Sequence, residues 1–122
     1  MKLFLDTACT VEIKDRLKYG VVSGVTTNPT LIKKAKKDPD ETYEYIINEL
    51  AVKDLSIEVD GITADTLITN GITYGKLYPH NATIKLPCTE DGIMACKTLS
   101  LMGIPVNMTL VFSVNQAILC SL

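Results

Sequence analysis

The stretch Ala82-Thr83-Ile84-Lys85-Leu86-Pro87 decides how the rest of the chain is read. Ile84 and Leu86 alternate with Thr83 and Lys85, as in a short strand with one apolar face, and Pro87 ends it. An acidic helix start, Thr89-Glu90-Asp91, follows at once. A lysine in the middle of a buried strand is costly unless its ammonium is paired or gives up its proton. Lys85 is therefore read as a nucleophile with the other strands arranged around it.

Working outward, strand and helix patterns alternate, which argues for parallel βα units. Strands are expected at residues 2–6, 24–28, 55–59, 82–87 and 106 to 110 or 111. Thr10 is expected to cap the first helix, and Asn28-Pro29 reads as cap and first residue of the next. That helix carries Lys33, Lys34, Lys36 and Lys37, read as a solvated face, and breaks at Asp38-Pro39. Asp40 is expected to cap a further helix containing Tyr43, Ile46, Ile47 and Leu50. Residues 64–74 read as helix with a weak point at Asn70-Gly71, and 75–81 as loop. The helix from Thr89 closes at Gly103, and a last one starts at Ser113.

Side chains alternate faces along a strand, so parity is legible directly. Leu3 and Leu5 oppose Phe4 and Asp6; Val25 and Thr27 oppose Thr26 and Asn28; Leu55, Ile57 and Val59 oppose Ser56 and Glu58. Ile84 and Leu86 oppose Thr83 and Lys85, and Val106, Met108 and Leu110 oppose Asn107 and Thr109. Each strand thus has one mostly apolar and one polar face. An open doubly wound sheet is covered by helices on both faces and should be apolar on both. A (β/α) barrel keeps reactive groups inside, near the strand C-termini. The pattern favours the barrel.

The polar set is Asp6, Thr26, Asn28, Glu58, Lys85, Asn107 and Thr109. Partial desolvation lowers a lysine's pKa and supplies a neutral amine able to attack a carbonyl. The resulting iminium draws electrons from the adjacent C–C bond, and a carboxylate within reach can move protons on substrate and water. The plain alternative is a Lys–Asp or Lys–Glu ion pair that only fixes the interior.

The composition sets bounds. With 122 residues, 47% hydrophobic and 21% charged, the chain has the make-up of one globular domain, residues 1–122. Its net charge of -2, with both signs interspersed, argues against a nucleic-acid or anionic-membrane surface. No apolar run approaches a membrane span, and the first residues are too short for a signal-peptide core. Cys9, Cys88, Cys96 and Cys120 form no C-x-x-C pair, and His80 has no partner at metal-ligand spacing. The cysteines read as buried free thiols in a reducing cytosol.

Several motifs in the same order resemble the transaldolase family, and the likeness covers the whole chain. They are Phe4-Leu5-Asp6-Thr7-Ala8, Gly24-Val25-Thr26-Thr27-Asn28-Pro29-Thr30-Leu31-Ile32, and Ile84-Lys85-Leu86-Pro87-x-Thr89-x-x-Gly92. Gly103-Ile104-Pro105-Val106-Asn107-x-Thr109-Leu110-Val111-Phe112-Ser113, with Gln116-Ala117, completes the set. The short bacterial and phage-type branch is the most similar. The resemblance implies an α/β fold, the (β/α)8 TIM barrel, of which about the first five βα units are present. It implies transfer of a dihydroxyacetone unit from sedoheptulose 7-phosphate to glyceraldehyde 3-phosphate in the pentose phosphate pathway, in the cytoplasm, with no metal or organic cofactor.

By the same resemblance Lys85 is the Schiff-base lysine and Asp6 the acid/base for the hydroxyl proton. Glu58, with Thr109, positions the catalytic water, while Asn28, Asn107 and Thr26 bind the substrate. Related fructose-6-phosphate aldolases carry glutamine where Glu58 stands, so the acid favours transaldolase. The partners implied are sugar phosphates, with neither nucleic acid nor membrane, and a homo-oligomer is open to the full-length form. Eight units need about 200 residues or more. The chain is therefore expected to be a fragment without the family's serine and phosphate-binding arginine, poorly stable or inactive alone. Fructose-6-phosphate aldolase or another Schiff-base aldolase is the second reading. A non-catalytic α/β binding module is the third.

Overall fold

The computed structural model describes residues 1–122. The strands are β1 (Leu3–Asp6), β2 (Val22–Thr26), β3 (Leu55–Glu58), β4 (Ala82–Pro87) and β5 (Val106–Thr109). The helices are α1 (Thr10–Leu17), α2 (Pro29–Ala35), α3 (Pro39–Glu44), α4 (Ala64–Leu77), α5 (Glu90–Leu101) and α6 (Val114–Ser121), with a π-helical turn at Tyr45–Glu49. The strand order is β1-β2-β3-β4-β5 and the strands are parallel. Doubly wound sheets reverse their order at a switch point. A sequential parallel order with helix in every crossover is instead that of a (β/α) barrel, here its first five strands. The barrel expectation holds at this level.

The chain forms two compact units. One comprises Met1–Ile57 and His80–Ala82. Its core is built from Ile13, Val25, Ile46, Leu55 and Ile57, each fully buried. Asn28 caps α2 by accepting from the Leu31 amide at 2.9 Å, and Pro29 sits first, where its missing N–H is harmless. The next cap is Asp38, whose carboxylate accepts from the Glu41 amide at 3.1 Å; it is not Asp40. Pro39, read as a breaker, is the first residue of that helix for the same reason as Pro29. The cap position of α1 is Cys9 rather than Thr10, and Cys9 makes no side-chain cap bond. The lysine run is only partly solvated in character: Lys37 donates to Thr10 Oγ1 at 3.1 Å and lies 5.8 Å from the Tyr45 ring centroid.

The other unit comprises Glu58–Pro79 and Thr83–Leu122. Ile84 and Leu86 of β4 are fully buried together with Ala95 and Leu99 of α5, and Leu67 of α4 is nearly so. Gly71 explains why Asn70-Gly71 does not weaken α4. A β-carbon there would lie 2.5 Å from Leu99 Cδ1, so the glycine is the close-approach point that lets α4 lie against α5. With that packing α4 continues to Leu77, through part of the span expected to be loop. Asp91 Oδ1 accepts from the Ala64 amide at 2.7 Å, tying the start of α4 to the first turn of α5. β5 stops at Thr109, short of the expected 110 or 111, because Leu110 takes a left-handed φ of 60°. No helix is long and apolar enough to cross a membrane.

Candidate active site

β4 gives Lys85 its setting. Its side chains alternate buried and half-buried, with Ala82, Ile84 and Leu86 inward to the helices and Thr83, Lys85 and Pro87 on the opposite face. The start of α5 is drawn close to the end of this strand. Gly92 approaches Pro87 so nearly that any β-carbon would collide with the Pro87 carbonyl oxygen. Thr89 Oγ1 closes the turn by accepting from the Gly92 amide at 3.1 Å. Lys85 therefore stands on a strand whose back is sealed and whose end is fixed by a capped helix.

Lys85 Nζ lies 3.3 Å from Glu58 Oε2, the last residue of β3. The side chains keep 12% and 27% of their surface, so the pair is desolvated but still reachable from outside. The Val59 amide donates to the Lys85 carbonyl at 3.4 Å, which keeps the two strands in step at this point. In the register of β4 and β5, Asn107 is the partner of Lys85 and Thr109 of Pro87. Asn107 and Thr109 thus lie on the Lys85 face by alternation, and the Thr109 carbonyl accepts from the Cys88 amide at 2.9 Å. This unit brings Lys85, Glu58, Asn107 and Thr109 together.

The other unit holds Asp6, Thr26 and Asn28. Asp6 and Thr26 are register partners on β1 and β2, and Thr26 Oγ1 donates to Asp6 Oδ1 at 2.8 Å. The hydroxyl is thus committed to the carboxylate, a bond that same-face parity on adjacent strands could have suggested. Asn28 spends its amide oxygen on the α2 cap, which fixes its orientation and leaves NH₂ as the group it can offer a ligand. Thr27, on the opposite face, is fully buried and donates to the Ser56 carbonyl at 2.9 Å.

The cysteines depart from expectation. Cys9 is exposed and Cys88, Cys96 and Cys120 are half-buried, so none is a core thiol. Cys88 and Cys120 sit with their sulfurs 3.4 Å apart, although 32 residues separate them. Sequence spacing carries no signal for such a pair; only the βαβα path that returns α6 to the end of β4 creates it.

Comparison with known proteins agrees with the geometry. The family described as Transaldolase/Fructose-6-phosphate aldolase matches residues 3–121. A probable transaldolase of Carboxydothermus hydrogenoformans is 47% identical over 122 residues, covering 100% of this chain and 56% of that protein. One of Thermus thermophilus is 43% identical over 129 residues, covering 99% and 57%. A third, from Nitrosopumilus maritimus, is 43% identical over 121 residues, covering 99% and 54%. The chain spans about half the length of the curated relatives it matches.

Proposed function

The chain belongs to the transaldolase/fructose-6-phosphate aldolase family, and on that premise we propose that residues 1–122 are the N-terminal part of one barrel domain of a transaldolase. The reaction is transfer of a dihydroxyacetone unit from sedoheptulose 7-phosphate to glyceraldehyde 3-phosphate, giving erythrose 4-phosphate and fructose 6-phosphate. This is a step of the pentose phosphate pathway, which places the protein in the cytoplasm. The observation that carries the proposal is the reachable Lys85–Glu58 pair on a sealed strand.

The chemistry follows from the groups present. Lys85 passes a proton to Glu58 and its amine attacks the ketose carbonyl carbon, and the carbonyl oxygen leaves as water after further proton transfers served by Glu58. Thr109 is proposed to hold that water with Glu58. The iminium then accepts the electron pair of the neighbouring C–C bond as Asp6 takes the proton of the hydroxyl beyond it. That bond breaks, the aldose leaves, and an enamine of dihydroxyacetone remains on Lys85. Attack of the enamine on the acceptor aldehyde reverses these steps, and hydrolysis frees the product. Thr26 holds the Asp6 carboxylate in one orientation, while Asn28 and Asn107 donate to the hydroxyls of substrate and intermediate.

Borohydride reduction in the presence of fructose 6-phosphate tests the proposal. The expected result is a reduced adduct on Lys85, absent from Lys85→Met. A folded chain that gives no Lys85 adduct sinks the catalytic reading and favours a binding module. Glu58→Gln should slow adduct formation by roughly 10²-fold or more, the size of one lost proton-transfer group. Fructose-6-phosphate aldolase is the second reading; release of free dihydroxyacetone without an acceptor would favour it, and transfer only to an acceptor aldehyde would favour transaldolase.

A further inference from the structure

We propose that Cys88 and Cys120 are an oxidation site, a dithiol that closes to a disulfide in exchange with a low-molecular-weight disulfide and so clips the end of β4 to α6. The two sulfurs are already 3.4 Å apart, with the Cys120 thiol donating to Cys88, and closing the bond takes an approach of little more than 1 Å to reach about 2.05 Å. Both cysteines are half-buried, which leaves a small oxidant a route to them. Nothing in the proposed transferase chemistry uses either thiol, and the site stands whether or not Lys85 proves to be a nucleophile.

The exchange balances without any further reagent. The Cys88 thiolate attacks one sulfur of the small disulfide and expels the other as a thiolate, leaving a mixed disulfide on Cys88. Cys120 gives up its proton and attacks the Cys88 sulfur, expelling the second small thiolate. Two protein thiols are oxidised, one small disulfide is reduced to two thiols, and two protons pass to them. Burial, then the hydrogen bond to Cys88, then the nearby Cys88 and Cys96 sulfurs push the Cys120 thiol above its ordinary value of 9.0. That order suits Cys120 to the second step, where its proximity compensates for a sparse thiolate.

The location gives the clip a consequence. Cys88 lies three positions beyond Lys85, and its amide donates to the Thr109 carbonyl at 2.9 Å. A covalent bond there fixes the turn between β4 and α5, holds β5 beside it, and ties both to α6. The reduced form leaves that turn to non-covalent contacts alone.

The test is to equilibrate the native chain with a series of glutathione buffers, quench with N-ethylmaleimide, and map peptides by mass. The expected product is one linked pair, Cys88 with Cys120, at a mass loss of two hydrogens, with Cys96 alkylated and Cys9 alkylated or glutathionylated. In 6 M guanidinium the yield of that link should fall at least tenfold, because the chain no longer holds the sulfurs together. Cys120→Ser should leave Cys88 as a glutathione mixed disulfide, and should Cys120→Ser fail to fold, Cys120→Ala serves the same comparison. The proposal is overturned if Cys88 and Cys120 stay unlinked in the native chain, if Cys96 replaces either of them, or if the link forms equally well in guanidinium.

Discussion

β4 and β5 are neighbours carrying groups proposed for the same chemistry, yet they are built differently. Ile84 and Leu86 of β4 are fully buried, and Ile84 lies beside Gly71 of α4. Every residue of β5 is half-buried, Leu110 beyond it is 55% exposed, and Phe112 is 83% exposed. Lys85 thus has a finished support, while Asn107 and Thr109 stand on a strand whose apolar side this chain covers only in part. The difference teaches that the strand carrying Lys85 is packed to completion within this chain, while the strand carrying Asn107 and Thr109 is not.

The largest effect should come from removing the buried side of β4. Leu86→Ala should cost about 2–5 kcal/mol, as for a fully buried leucine. Met108→Ala on β5 should cost about 1 kcal/mol, since its side chain keeps part of its surface in water. Urea titration of both variants measures the gap, and equal losses would erase the contrast between the strands.

Next comes the closure at the end of β4. Gly92→Ala places a methyl group on the Pro87 carbonyl, so the turn must shift, at a cost of about 1–3 kcal/mol or more. Gly103→Ala, before β5, meets no atom but must hold a φ of 76°, which costs about 1–2 kcal/mol. Only Gly92→Ala should also slow borohydride trapping at Lys85, because only that turn fixes the end of the lysine strand.

Smaller effects are expected at the caps. Thr89→Ala removes the bond to the Gly92 amide and should lower the unfolding free energy by about 1 kcal/mol. Ser113→Ala removes the bond to the Gln116 amide, but α6 has no buried residue, so its loss frays that helix with a global cost below about 0.5 kcal/mol. Comparing melting of the two variants by circular dichroism and by a core probe would expose any reversal.

The smallest effect concerns pH. The folded chain raises the Cys120 pKa, so it favours the protonated thiol. That contribution is fully present below the unfolded pKa and is lost as pH rises through the higher folded one. Stability measured from neutral to strongly alkaline pH should therefore fall slightly more in the native chain than in Cys120→Ser.

Much of this was legible in the sequence because it depends on local rules. The alternation around Lys85, the cap at Asn28-Pro29 and the cap at Thr89 each follow from residue type and spacing, and each is found in place. What escaped depends on contacts distant in sequence. Asn70-Gly71 looks like a helix break until Leu99 lies across it. Pro39 is the exception, a local signal: Asp38-Pro39 obeys the same cap-and-first-residue rule as Asn28-Pro29 and only looks like a breaker. In the candidate site, Lys85 and Glu58 were expected on like faces and meet at 3.3 Å. Thr26 was expected to bind substrate; its hydroxyl also donates to Asp6, a bond not foreseen although register places the two directly opposite.

Native-state hydrogen exchange of the backbone tests the central contrast most directly. Amides of residues 83–86 should exchange on the order of 100-fold more slowly than those of residues 106–110, because β4 opens only with the helices packed behind it. Equal protection of the two strands, or faster exchange in β4, would contradict the claim that Lys85 stands on the finished part of the fold.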